Sequence, residues 1–221
     1  MFDLDNTLID FFHFKLKCCS AAIDAMIKAG LKVKKKKAIG IFNQLYEKYG
    51  MEYKYIFQEF LKIAAGNIDY RILSYGLIAY RKERIGCLNA YPGVKETIRR
   101  LKKKYKIAII SDAPRQKAWM RIDLMGLDKL VDVVITFDDT RRKKPNSLPF
   151  IKALKRLKLK PFEVLMVGDS ISRDMQGAKR LGMKTCLALY GRTLKPKRLP
   201  KGTDFMINRI CDLMKVVKKI N

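Results

Sequence analysis

From residue 91 onward, short apolar runs alternate with segments that have helical periodicity. The apolar runs, which we predict as strands, cover residues 107–111, 133–137, 164–169, 185–190 and 205–207. The segments with helical spacing cover residues 94–104, 114–125, 148–157, 174–181 and 209–219. Strands that alternate with helices predict βαβ units, and therefore a parallel sheet with helices on both faces.

The preceding region, from residue 11 to about residue 86, has a different pattern. Its apolar residues recur at helical spacing, and glycines at positions 30, 50, 66 and 86 interrupt them. This pattern predicts about four helices and no strand. We therefore expect an α/β core domain formed by residues 1–11 and 91–221, with a helical domain, residues 12–90, inserted into it.

Polar residues stand where several of the predicted strands end. In open parallel sheets, ligands bind beyond the carboxyl ends of the strands. The residues at these ends are Asp3 and Asp5, Ser111 and Asp112, Asp138 and Asp139, and Asp169. We expect the residues that carry out the chemistry of the protein to be among them.

The N-terminal sequence Asp3-Leu4-Asp5-Asn6-Thr7 places two carboxylates close together. Phosphoryl transfer through a covalent carboxylate needs one carboxylate as the nucleophile. It also needs a second carboxyl group that protonates the leaving group and then activates water. A divalent cation would offset the charge that two carboxylates and a phosphate bring together.

Three further elements follow along the chain. Asp169 ends a strand in the sequence GDSISRD and could complete the oxygen ligands of a Mg²⁺ ion, while Asp174 begins the next helix. The hydroxyl of Ser111 and the backbone N–H groups after it could hold phosphate oxygens. Lys144 could neutralise both phosphate and nucleophile, although chemistry alone does not exclude Lys143.

In this order, the four elements resemble the motifs of the haloacid dehalogenase superfamily. The quoted residues are the Asp3-x-Asp5-x-Thr7 start, Ser111 after the second strand, Lys144 before proline, and the GDSISRD sequence. The resemblance covers essentially the whole chain, and the helical insert looks like a four-helix C1 cap. One departure lies in the third motif, which reads KPNS where the family usually has KPxP.

The resemblance implies a role for each matching residue. Asp3 would be the nucleophile and a Mg²⁺ ligand, and Asp5 the general acid and base, with its backbone carbonyl also on the metal. Asp169 would be the second carboxylate ligand, and Asp174 a partner just outside the metal's ligands.

Phosphate would be bound by Ser111 and Asp112 and steadied by Lys144. The implied activity is Mg²⁺-dependent hydrolysis of a small phosphorylated metabolite through an aspartyl-phosphate. Among the subfamilies, archaeal phosphatases of glyceraldehyde 3-phosphate look most similar.

Only Met1 and Phe2 precede Asp3, whereas the family's nucleophile follows a full strand. Either the chain starts upstream, which we favour, or the site is impaired. In the second case, the protein would be a basic binder of nucleic acid or another polyanion, in keeping with its formal net charge of +27.

The basic residues are scattered along the chain, so we do not expect specific nucleic-acid binding. The five cysteines, at positions 18, 19, 87, 186 and 211, have no metal-type spacing and predict reduced thiols in a cytoplasmic protein. No apolar run approaches the roughly 18 residues of a membrane span, so we expect no membrane partner.

Overall fold

A computed structural model describes residues 1–86, 88–192 and 194–220. The chain divides into two compact units. Residues Met1–Asp10 and Asn89–Asn221 form the first, which we call the α/β unit, and residues Phe11–Leu88 form the second, the helical unit. The sequence places the corresponding boundaries after residues 11 and 90.

Four helices make up the described part of the helical unit, which contains no strand: α1 (Phe11–Lys28), α2 (Lys35–Tyr49), α3 (Ile56–Ala65) and α4 (Tyr70–Gly86). Their apolar positions recur at helical spacing and face a common core. At its centre, the rings of Phe42 and Phe60 are stacked with their centroids 4.4 Å apart. The helical pattern of this part of the sequence therefore reflects a real bundle core.

The α/β unit alternates strands and helices. Its strands are β1 (Ala108–Ile110), β2 (Val133–Ile135), β3 (Leu165–Gly168), β4 (Lys184–Ala188) and β5 (Phe205–Ile207). Its helices are α5 (Val94–Lys102), α6 (Arg115–Leu124), α7 (Phe137–Thr140), α8 (Ser147–Leu157), α9 (Gln176–Lys179) and α10 (Leu213–Ile220). All the strand pairs are parallel: β1 with β2, β3 with β4, and β4 with β5.

The N-terminal residues lie between β1 and β3. Phe2 forms parallel bridges to Ile109 on one side and Val167 on the other. The backbone N–H of Phe2 donates to the carbonyl of Ala108 (2.7 Å), and that of Asp3 donates to the carbonyl of Val167 (2.9 Å). Short as it is, this segment pairs with both neighbours, and Asp3 is thereby held at the centre of the sheet.

The predicted fold class, a parallel α/β core with an inserted bundle of helices, is confirmed. The second predicted strand differs from expectation, because it ends at Ile135 and a short helix, α7, follows. The cause is a capping box: Asp139 accepts hydrogen bonds from the backbone N–H and the hydroxyl of Thr136, at 2.9 and 2.8 Å.

The described cysteines are free thiols: Cys18, Cys19 and Cys186 are buried, and Cys211 is exposed. Cys87 lies outside the described residues. Among the described helices, none combines the length and apolar character that a bilayer span requires.

Candidate active site

A tight turn follows the N-terminal strand segment and carries Asp5. Asn6 has a φ of 59°, in the left-handed region, and its backbone N–H donates to the carbonyl of Ile9 at 2.8 Å. Gly191 packs directly against this turn: a Cβ atom there would lie 1.6 Å from the Asn6 carbonyl oxygen. Only glycine therefore allows the backbone approach that supports the turn.

Lys144 is the cation at the centre of the site. Its side chain is 0% exposed, and its Nζ lies 2.5 Å from Asp3 Oδ1 and 2.7 Å from Asp174 Oδ1. Nζ also donates to the carbonyl of Ile110 at 3.0 Å. Burial alone would lower the pKa of Lys144, but the adjacent carboxylates of Asp174 and Asp3 raise it above its ordinary value, so the side chain stays charged.

The neighbouring lysine has a different environment. Lys143 is exposed, and its Nζ lies 5.9 Å from the ring centroid of Phe137. The loop is held in this register by Asp112, whose Oδ1 accepts a hydrogen bond from the backbone N–H of Lys144 at 2.9 Å. The sequence leaves the choice between the two lysines open. In the structure, Lys144 is the one that contacts Asp3.

Asp169 and Asp174 are brought together by the segment after β3. Residues Ile171–Met175 form a π-helical turn rather than the start of an α-helix. This turn carries the Asp174 carboxylate back to the strand end, where its Oδ2 accepts a hydrogen bond from the backbone N–H of Ser170 at 3.0 Å. A Cβ atom at Gly168 would lie 2.4 Å from the same oxygen, so glycine at this position makes room for the carboxylate.

Asp3, Asp169 and Asp174, which we call the carboxylate cluster, are all buried. Each offers a carboxylate oxygen, and these oxygens lie within 4.8 Å of one another. Burial and the adjacent charges of Asp3 and Asp174 raise the pKa of Asp169 to about 8, and burial and Asp3 raise the pKa of Asp174 to about 6. The cluster thus holds more negative charge than Lys144 alone offsets.

Apart from Asp174 Oδ1, which lies 2.7 Å from Lys144 Nζ, two buried oxygens of the carboxylate cluster have no hydrogen-bond partner among the described residues: Asp3 Oδ2 and Asp169 Oδ1. Buried carboxylate oxygens normally have a donor or a metal ion as a partner. An all-oxygen set of this kind suits a hard divalent cation such as Mg²⁺. The residues present therefore fit a Mg²⁺ ion.

Three arginines surround the site, and none of them is among the residues predicted from the motifs. Arg192 donates to the backbone carbonyl of Asp169 at 2.5 Å, and Arg173 Nη1 lies 3.4 Å from Asp112 Oδ2. Arg121, on α6, donates from Nη1 to both carboxylate oxygens of Asp5, at 2.9 and 2.7 Å.

The sequence does contain a signal for Arg121. Ala118, Ile122 and Met125 are buried at helical spacing on the same face of the chain, and Arg121 falls on that stripe with only 6% of its surface exposed. An arginine in an apolar stripe needs a buried partner, since arginine is almost never buried unpaired.

Ser111 is buried at the end of β1, with 3% exposure. Its Oγ accepts a hydrogen bond from the backbone N–H of Ala113 at 3.1 Å, so its O–H remains a donor. The Asp112 side chain, by contrast, is occupied with the backbone of Lys144 and with Arg173.

Two of the polar strand-end residues lie in a different environment. Asp138 Oδ2 accepts from the backbone N–H of Arg115 at 2.6 Å, and Asp139 caps α7 and pairs with Arg115 and Arg156, each at 3.2 Å. These two acids stabilise the start of a helix.

Comparisons with known proteins point to one family. The family model for haloacid dehalogenase-like hydrolases matches residues 1–188. A glyceraldehyde 3-phosphate phosphatase of Methanocaldococcus jannaschii is 32% identical over 221 residues, which cover 100% of this chain and 96% of that protein. The pyrophosphatase PpaX of Bacillus cereus is 36% identical over 166 residues, or 73% of this chain and 74% of that protein.

Solved structures have the same fold. A HAD phosphatase from Thermococcus onnurineus superposes with a TM-score of 0.67 at 28% identity, covering 98% of this chain and 95% of that chain. A 2-haloacid dehalogenase from Pseudomonas syringae gives a TM-score of 0.65 at 22% identity, covering 100% and 97%. The second likeness concerns the fold alone.

Proposed function

Because the chain belongs to the haloacid dehalogenase-like hydrolase family, we propose that it is a Mg²⁺-dependent phosphatase of small phosphorylated metabolites. The observation that carries the proposal is the buried contact between Lys144 and Asp3, beside Asp3 Oδ2 and Asp169 Oδ1, which find no hydrogen-bond partner in the described part of the chain. A cation, a nucleophile and an oxygen-rich metal site close together are what phosphoryl transfer requires.

Asp3 is the proposed nucleophile. Its backbone is held between β1 and β3, and Lys144 fixes one of its carboxylate oxygens, so the group is oriented before substrate arrives. Attack on phosphorus forms a bond from an Asp3 oxygen and breaks the ester P–O bond. The product of this step is an aspartyl-phosphate, which water then hydrolyses at phosphorus to regenerate the carboxylate.

Asp5 is the proposed acid and base. Its side chain is 22% exposed, more than that of Asp3, so it can meet both a leaving group and a water molecule. In the first step, it gives a proton to the departing ester oxygen. In the second, it takes a proton from the attacking water, which returns it to its starting state.

The charge of the transferred phosphoryl group has two proposed partners in the chain, the Ser111 hydroxyl as a donor and Lys144 as a permanent cation. Asp3, Asp169 and the backbone carbonyl of Asp5 would hold the Mg²⁺ ion, with Asp174 just outside its ligands. When bound, this ion would supply the positive charge that lets an anionic phosphate approach anionic carboxylates.

The substrate class follows from the relatives. The glyceraldehyde 3-phosphate phosphatase of Methanocaldococcus jannaschii aligns with this chain over its whole length, whereas the pyrophosphatase PpaX of Bacillus cereus aligns over 73% of it. We therefore place a small phosphorylated metabolite such as a triose phosphate ahead of pyrophosphate.

Phosphate release from a chromogenic phosphomonoester, from glyceraldehyde 3-phosphate and from pyrophosphate tests the proposal, each with Mg²⁺ and with EDTA. Asp3→Asn should abolish turnover, and Asp5→Asn should slow it by about 10²–10⁴-fold, the usual loss with a general acid and base. Folded protein that releases no phosphate from a broad panel of phosphomonoesters with Mg²⁺ would refute the proposal. A polyanion-binding role on an inactive scaffold would then take its place.

A further inference from the structure

In the phosphatase proposed above, the contact between Arg121 and Asp5 would contribute to catalysis. We infer that Arg121 is a positioning residue: it holds the Asp5 carboxylate in the orientation from which proton transfer occurs. The inference rests on the proposed function, because it concerns a step of that reaction.

The contact joins two parts of the α/β unit that are far apart in sequence. Arg121 and Asp5 are 116 positions apart, and Nη1 of Arg121 lies within hydrogen-bond distance of both Oδ1 and Oδ2 of Asp5. Contacts to both oxygens restrict rotation of the carboxylate more than a contact to one oxygen does. A carboxylate that moves a proton twice per turnover benefits from such restriction, because misplacement by about 1 Å can cost about 10²-fold in rate.

The two side chains of this ion pair are buried to different degrees. The Arg121 side chain is 7% exposed, whereas that of Asp5 is 22% exposed. The arginine thus holds the carboxylate from its inner side and leaves part of it open to solvent. The exposed part of Asp5 is where a leaving group or a water molecule would approach.

A second arginine on α6 forms an ion pair of a different kind. The side chain of Arg115 is 56% exposed and pairs with Asp139 at 3.2 Å. Arg121 instead occupies a position on the buried stripe of α6 and reaches the second aspartate of the Asp3-Leu4-Asp5 sequence. At Arg121, the cost of burying a guanidinium is accepted where its partner is the proposed acid and base.

A double-mutant cycle tests the inference. Arg121→Met keeps much of the side-chain length and removes the donors, and it is made both in the wild type and in the Asp5→Asn variant. We expect Arg121→Met alone to lower kcat by about 10-fold or more, up to the 10²–10⁴-fold loss of a missing acid and base. KM, and the Kd of inorganic phosphate measured by calorimetry, should change by less than about two-fold, since the groups proposed to bind phosphate are the Ser111 hydroxyl and Lys144.

In the Asp5→Asn background, Arg121→Met should change kcat by no more than about two-fold, because a residue that acts through Asp5 has no effect once Asp5 is disabled. Arg121→Lys retains the charge and should recover part of kcat. Arg115→Met is the matched control and should leave kcat unchanged. All rates are referred to the folded fraction from urea unfolding, so a loss of stability is not counted as a loss of catalysis.

Two results would overturn the inference: full kcat per folded molecule in Arg121→Met, or equal losses from Arg121→Met in both backgrounds. If Arg121→Met does not fold, the same cycle is run with Arg121→Lys, whose effect must also vanish in the Asp5→Asn background. A folded wild type that releases no phosphate removes the proposed function, and this inference with it. An active wild type with additive losses removes the inference alone.

Discussion

Replacing Lys144 with methionine removes the positive charge between two buried carboxylates and retains an unbranched side chain of similar length. In the native protein, Nζ lies 2.5 Å from Asp3 Oδ1 and 2.7 Å from Asp174 Oδ1, and all three side chains are at most 4% exposed. The variant would therefore have two neighbouring carboxylates without their cation.

The size of the effect follows from this burial. Breaking a buried ion pair by removing one partner costs about 3–5 kcal/mol, because the other charge stays desolvated and unpaired. Protonation limits this loss. The pKa of Asp174 already lies at about 6, raised by burial and by Asp3, and loss of Lys144 raises it further.

The stability deficit of Lys144→Met should therefore depend on pH. A carboxyl group whose folded pKa lies above its unfolded value of about 3.9 binds a proton on folding, so its stability contribution is lost as pH rises. We expect the full deficit near pH 8 and a smaller one near pH 5, where the carboxylates of the variant are discharged.

Urea unfolding of the metal-free protein measures this difference, with the free energies extrapolated to zero urea. Lys143→Met is the matched control: it is the adjacent lysine, exposed in the same loop, and should change stability by no more than about 0.5 kcal/mol. Equal stabilities of the two variants at pH 8, or a deficit of Lys144→Met that grows toward pH 5, would contradict the reasoning.

Three other expectations follow from the structure. Mg²⁺ at 100 times its Kd should raise the free energy of unfolding of the wild type by about 2.7 kcal/mol, and Asp169→Asn should lose most of this gain in a urea titration with and without the ion. Gly168→Ala should destabilise the protein by about 1–3 kcal/mol and weaken Mg²⁺ binding, because the new Cβ lies 2.4 Å from Asp174 Oδ2. An unchanged Mg²⁺ affinity, measured by calorimetry, would contradict this expectation. Asp204 accepts hydrogen bonds from Thr185 and Lys179; burial raises its pKa, yet these bonds lower it on balance. Asp204→Asn should therefore cost about 1 kcal/mol at pH 7, a cost that begins to shrink below the unfolded pKa of about 3.9 and disappears only below the lower folded pKa.

Much of the fold could be predicted because periodicity is a local property of the chain. Apolar residues recur at helical spacing in some segments and form short runs in others. This spacing indicates which face of an element is buried, whatever other element packs against that face. The predicted end of the second strand was wrong. Thr136 and Asp139 form a capping box within the apolar run, and this capping box ends β2 and starts α7.

The candidate site was accessible to sequence reasoning only in part. Asp3 and Asp169 follow strands that are parallel, and the carboxyl ends of parallel strands meet at one edge of the sheet. The same rule also selected Asp138 and Asp139, which cap a helix instead. An acid after a strand suits a helix N-terminus as well as a metal site, because both favour negative charge.

By itself, the sequence determined the parallel α/β core, the inserted helices and the order of the motifs, since each depends on residues close together in the chain. Only the tertiary structure decided that Lys144 and not Lys143 meets Asp3, across 141 positions, and that Arg121 meets Asp5. The physical reason is the range of the interactions. Periodicity specifies the face on which a side chain lies, but a contact between distant segments depends on the packing of whole elements, and no local pattern records that packing.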